Sequence, residues 1–110
     1  MQVQINTDHN IEHHEALTQQ VNGVVDAAMG RMADHISRVE VHLSDENSDK
    51  KGGNHDIRCV MEARLEGHQP LAVTYQADTV HQAVDGAAHK LTRLLRSTID
   101  RTHEHASRAD

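Results

Sequence analysis

Eleven of the 110 residues are histidine, as many as lysine and arginine together. Imidazole can ligate metal, relay protons or change its charge between about pH 5 and 8. His9 and His13 are spaced like a zinc-binding pair, with Glu12 and His14 beside them, and His103 and His105 flank a glutamate near the end. A structural zinc site needs four converging ligands, and a catalytic one needs three plus water. The other histidines (His35, His42, His55, His68, His81 and His89) are scattered along the chain. The pattern therefore predicts solvated side chains, no native metal centre and no cofactor, with adventitious zinc or nickel binding as the metal chemistry to expect. What the histidines can do together is change the sign of the molecule. The formal charge is −6 with imidazole neutral, from 11 Lys and Arg against 17 Asp and Glu. Protonating all eleven would carry it to +5.

Nucleophilic chemistry has little support. There is no G-x-S-x-G, no phosphate-binding glycine loop and no H-E-x-x-H. Cys59 alternates with Met61 and Ala63, which reads as a buried structural thiol. The neighbouring acids Asp45 and Glu46 fall in a polar loop. An enzyme is not expected.

Positive charge is concentrated in one place. Between Gly86 and Arg101 stand Lys90, Arg93, Arg96 and Arg101 against the single acid Asp100, a local balance of +3. Residues 1–35 carry five acids and only Arg31, a balance of −4. A basic helical face is often no more than a solvated face that complements the helix dipole. Here it is also the only concentrated positive field, of the kind that selects phosphate backbones. His89 lies within it, and Lys50 and Lys51 offer a second contact from a loop. The reading places no exposed aromatic on the surface, so recognition is expected to rest on backbone and shape rather than base stacking.

These groups need a scaffold, and the hydrophobic pattern supplies one. Val3 and Ile5 alternate with Gln2, Gln4 and Asn6, a short strand. From about Glu15, Leu17, Val21, Val24, Val25, Ala28 and Met32 recur at helical spacing. Alternation returns over 38–44, with Val39, Val41 and Leu43 inward and Arg38, Glu40 and His42 outward. The polar segment 45–54 reads as a long hairpin loop. Ile57, Cys59, Met61, Ala63 and Leu65 form the inner side of the next strand, with Arg58, Glu62 and Arg64 outside. Leu71, Val73 and Tyr75 form a further one after a turn at 67–70. Val80, Ala83, Val84, Ala87, Ala88, Leu91, Leu94 and Leu95 make the apolar stripe of a last helix. Residues 1–101 are read as one domain and 102–110 as a polar tail that frays. The order β-α-β-β-β-α predicts an α+β sandwich, a four-stranded mostly antiparallel sheet with both helices on one face. Mixed charges on the wet face suggest cross-strand ion pairs. No apolar run approaches the ~20 residues of a membrane span, and nothing at the start reads as a signal peptide. A cytoplasmic location and no membrane partner are expected.

The segment 78–95 resembles the second-helix signature of the ribosome hibernation promoting factors, also called ribosome-associated inhibitor A or sigma-54 modulation proteins. That signature reads roughly D-x-Y-x-A-I-D-x-x-x-x-K-L-x-R-x-L. Asp78, Ala83, Val84, Asp85, Lys90, Leu91, Arg93 and Leu95 fit it, as do the opening residues 1–5, the helix start Glu15–Leu17 and the element order. The resemblance spans about residues 1–100. It implies a fold like double-stranded-RNA-binding domains and a non-enzymatic factor of the short type. Members bind the small ribosomal subunit in the mRNA and tRNA channel and silence idle ribosomes in stationary phase or stress. Lys90 and Arg93 would then contact ribosomal RNA phosphates, with Arg96 beside them, and no DNA partner is implied. His81 stands where the pattern has tyrosine. The first helix offers Gln19, Gln20, Asn22 and Asp26, with Arg31 alone basic. Two other outcomes are carried: a regulatory protein-interaction module of the same fold with weakened RNA affinity, and a histidine-rich metal-binding protein. Because His89 lies beside the basic stripe and His81 replaces the family aromatic, binding to ribosomes is expected to tighten as pH falls. Oligomeric state is left open.

Overall fold

The computed structural model describes residues 1–46 and 56–108, with side chains through Arg101. The loop lysines Lys50 and Lys51 lie outside the described residues. Four strands form one sheet in the order β1-β2-β3-β4: β1 Gln2–Thr7, β2 Ile36–Asp45, β3 Ile57–Leu65 and β4 Leu71–Ala77. β1 runs parallel to β2, and the other two pairings are antiparallel. A parallel pair needs a crossover, and helix α1 (Glu15–Met29) with a 3-10 helix (Gly30–His35) provides it. Helix α2 (Val80–Arg108) follows β4. It is continuous past Arg101, where the sequence suggested fraying, although Leu95 is its last buried side chain among the described residues.

Strand alternation buries one side of the sheet. Val39, Val41 and Leu43 of β2 and Cys59, Met61 and Ala63 of β3 are sealed under Val21, Val25 and Met29 of α1 and Ala87, Ala88, Leu91 and Leu95 of α2. Met29 is fully buried, a position the sequence pattern passed over, while Val24, Ala28 and Met32 are only half-buried. The α-helix stops at Met29, and the tighter winding that follows takes Met32 off the inward stripe. The chain turns from β3 to β4 at Gly67, whose φ of 79° lies in the left-handed region that favours glycine. There the amide of His68 donates to the carbonyl of Leu65 at 3.2 Å.

The wet side of the sheet differs from expectation in one respect. Arg38 faces Arg64 and Glu40 faces Glu62 across β2 and β3, so like charges lie opposite each other. There the ion pairs run along each strand, Arg38–Glu40 at 2.9 Å and Arg64–Glu62 at 3.5 Å, while Arg58 of β3 reaches across to Glu46 just past β2 at 3.7 Å. Side chains two apart on one strand share a face, and pairing there removes the cross-strand repulsion.

Candidate nucleic-acid interface

The two helices run side by side in the same direction. Near their starts the Gln20 side-chain amide donates to Nδ1 of His81 at 2.7 Å. Further along, Thr92 Oγ1 donates to the carbonyls of Ala88 at 2.7 Å and Ala28 at 3.4 Å. Thr92 is thus level with Ala28, and Arg96, one turn on, stands level with the 3-10 helix that carries Arg31. The N-terminal ends of both helices gather acids. Glu12, Asp45 and Asp78 line a cleft of about 430 Å³ there, together with Ile11, Leu17 and Val80. The cations Arg31, Arg93, Arg96 and Arg101 lie toward the other end, interspersed with Asp26, Asp34 and Asp100.

At about 100° per residue, Arg93, Arg96 and His89 fall opposite the buried line Val84–Leu91–Leu95, and all three are exposed. Arg93 and Arg96 enter no ion pair or side-chain hydrogen bond among the described residues. His89 donates from Nδ1 to the carbonyl of Asp85 at 2.9 Å and lies 3.7 Å from the Asp85 carboxylate. Lys90 is set apart from this outer row. It projects toward the sheet edge, where Nζ donates to the carbonyl of Thr74 on β4 at 3.1 Å. Arg101 is exposed, and its Nε donates to the carbonyl of Ser97 at 3.3 Å. His81 faces α1 across a shallow groove of about 420 Å³ floored by Gly23, Val24 and Ala28. The structure therefore brings together Arg93, Arg96 and His89, keeps Lys90 on the neighbouring flank, and places Arg31 on the other helical segment at the same end.

The two faces of the molecule differ in how far their positive charge is paired. On the open sheet face Arg38, Arg58 and Arg64 each pair with a glutamate. The cations without an ion pair among the described residues (Arg31, Lys90, Arg93, Arg96 and Arg101) all belong to the helical layer. Pairing cancels the field of the sheet face, whereas the helix face keeps its own.

The histidines do local work. Nδ1 of His14 accepts the amide of Leu17 and caps α1, and His13 lies 3.3 Å from the Thr18 hydroxyl. Among the described residues no three His, Cys, Asp or Glu side chains are placed to hold a metal ion. Burial pushes the Cys59 thiol up to about 12, which keeps it protonated and a poor nucleophile.

One residue departs from the sequence reading. Tyr75, assigned to the inner side of β4, is 42% exposed, so the surface does carry an aromatic ring. The signal was Gly86. A glycine inside an otherwise strong helix costs about 1 kcal/mol relative to alanine, and a methyl there would overlap Cδ2, Cε2 and Cζ of the Tyr75 ring.

Comparison with known proteins bears directly on this arrangement. The family model of the sigma 54 modulation protein / S30EA ribosomal protein family matches residues 3–103. The chain belongs to this family. S30EA-family members are non-enzymatic factors, which agrees with the inert thiol and the lack of catalytic motifs. The fold is similar to that of the Thermus thermophilus Protein Y N-terminal domain, with a TM-score of 0.72 at 18% identity over 89% of this chain and 99% of that one. It is also similar to a ribosomal subunit interface protein from Coxiella burnetii, with a TM-score of 0.71 at 16% identity over 91% and 99%. No curated protein matches the chain. Among the described residues no helix is long and apolar enough to cross a membrane.

Proposed function

We propose that this S30EA-family chain is a cytoplasmic, ribosome-associated inhibitor of translation. It binds the small subunit in the mRNA and tRNA channel through contacts to ribosomal RNA phosphates. The observation that carries the reading is the outer row Arg93–Arg96 of α2, with no ion pair among the described residues, in a molecule whose sheet arginines are all paired. Arg93 and Arg96 are the principal phosphate contacts, Lys90 and Arg101 act from the flank, and Arg31 reaches the same end. His89, and His81 two turns earlier along the same groove, complete the set of residues assigned to the contact. Arginine suits this task because its planar fork can give two parallel hydrogen bonds to one phosphate.

A cell-free translation assay tests the proposal. Adding the protein to idle ribosomes before mRNA is expected to lower product formation, and excess tRNA is expected to relieve the block. Lys90→Glu with Arg93→Glu should remove most of the inhibition. Undiminished translation at saturating protein would refute it.

A second reading is favoured by the exposed side of α1. Gln19, Asn22 and Asp26 are exposed there and offer no cation. A protein-interaction module of the same fold would use that cation-free surface, and a pull-down recovering only ribosomal components would count against it.

A further inference from the structure

Tyr75 is the only aromatic residue of the chain, which has no Trp and no Phe. It stands on β4, an edge strand of the sheet, and is 42% exposed. A methyl on Gly86 would meet three consecutive ring carbons at once, as a point over the ring plane does and a point beyond its edge does not. One face of the ring therefore rests on the glycine backbone of α2, and the rest of the ring borders an open cavity of about 440 Å³. Lys90 lies one helical turn beyond Gly86. Its ammonium is tethered to the carbonyl of Thr74, the residue before the tyrosine, at 3.1 Å. An ammonium has three donors, so two remain for another acceptor. A flat ring with a cation beside it is what a single nucleotide requires: the base stacks and the phosphate pairs.

The cavity wall adds selectivity. It is lined by Gln76, Asp78, Gln82 and Asp85 and contains no cation. Carboxylates accept and do not donate, so they favour a base with donors on its Watson–Crick edge. Guanine presents two adjacent ones. The same carboxylates repel phosphate and turn it toward Lys90.

We propose that Tyr75, with Lys90 beside it, forms a stacking site for one unpaired guanine of the bound RNA. The site rests on the RNA-binding reading above and adds base readout to a contact otherwise made by phosphates.

Because the chain holds a single tyrosine, its intrinsic fluorescence reports on this ring alone. The intact protein is titrated with a uridine hexamer carrying one central guanosine, with an all-uridine hexamer, and with a short arginine peptide. Saturable quenching is expected with the guanosine hexamer, at an affinity at least threefold tighter than with uridine alone. Asp78→Asn should erase that preference, and Lys90→Gln should weaken both hexamers. In parallel, ribosome sedimentation of Tyr75→Leu is expected to show about tenfold weaker retention, the scale of one lost stacking contact. Tyr75→Phe should retain wild-type binding, and circular dichroism checks that each variant folds. Should Tyr75→Leu not fold, the wild-type titration and the Tyr75→Phe variant still decide the matter. Wild-type sedimentation together with no quenching by either hexamer would overturn the guanine site and leave the ribosome reading intact. Quenching by the arginine peptide alone would overturn it in favour of a protein ligand. Failure of the wild type to sediment would overturn the ribosome reading, and the hexamer titration would then judge the site by itself.

Discussion

Cys59 shows how a single side chain can be read from its neighbours. Alternation with Met61 and Ala63 assigned it to the inner side of β3, and it is fully buried there, between Leu43 and Tyr75 in the ladder. Its thiol is raised from 9.0 to about 12 by burial. Between those values the unfolded chain releases the proton and the folded chain keeps it. The stability due to the neutral thiol is therefore complete below about pH 9 and is lost as pH rises toward 12, by up to ~1.4 kcal/mol per pH unit. Urea denaturation from about pH 8.5 to about pH 10.5 should show a steeper decline for the wild type than for Cys59→Ala, and parallel slopes would contradict the assignment. Tyr75 was less legible, because alternation reports which side of a sheet a residue occupies and not how far the helix above covers it. At the edge, α2 meets Tyr75 with only a glycine. Gly86→Ala gains about 1 kcal/mol of helix propensity and must swing the ring outward, a rotamer cost of roughly the same size. Stability is expected to change by less than about 1 kcal/mol while tyrosine fluorescence shifts. A loss of several kcal/mol would mean that the ring cannot move.

The helices were legible where periodicity alone sets their buried face, and less so where local chemistry ends them. The α2 stripe from Ala83 to Leu95 is buried as its spacing requires, with Leu94 half-buried at the border. The end of α1 was misjudged by one turn, because the change from α to 3-10 winding at Gly30 leaves no mark in hydrophobic spacing. Its beginning at Glu15 was legible, but the residue that caps it was not. The cap is His14, an uncommon choice, whose Nδ1 accepts the Leu17 amide at 3.1 Å. Aspartate is a much commoner cap, and its carboxylate favours the N-terminal end of the helix dipole. His14→Asp is expected to stabilise the protein by roughly 0.5–1 kcal/mol in urea denaturation. A loss of stability would contradict the capping role of position 14. On the strands, periodicity gave the wet face but not the pairing on it. Register decides which charges meet, and the register sets Glu40 opposite Glu62.

For the molecule as a whole, the net charge of −6 conceals an uneven distribution. Glu12, Asp45 and Asp78 gather at the N-terminal ends of both helices, and Arg31, Arg93, Arg96 and Arg101 lie toward the other. The basic segment was legible as a charge count over 86–101. Its division into an outer row and a flank was not, because that depends on Lys90 reaching the carbonyl of Thr74. Carboxylates at the helix starts should steer phosphates toward Lys90 and the arginines further along α2. Affinity should then fall steeply with salt, and each phosphate contact removed should lower the log–log slope by about 0.7–0.9. The central claim is that the Arg93–Arg96 row holds the small subunit. The most direct measurement is sedimentation of the wild type and of Arg93→Glu with Arg96→Glu against separated small and large subunits at low salt. The account predicts that the wild type travels with the small subunit only and that the double variant stays at the top of the gradient. Co-migration of the double variant at wild-type levels would contradict it.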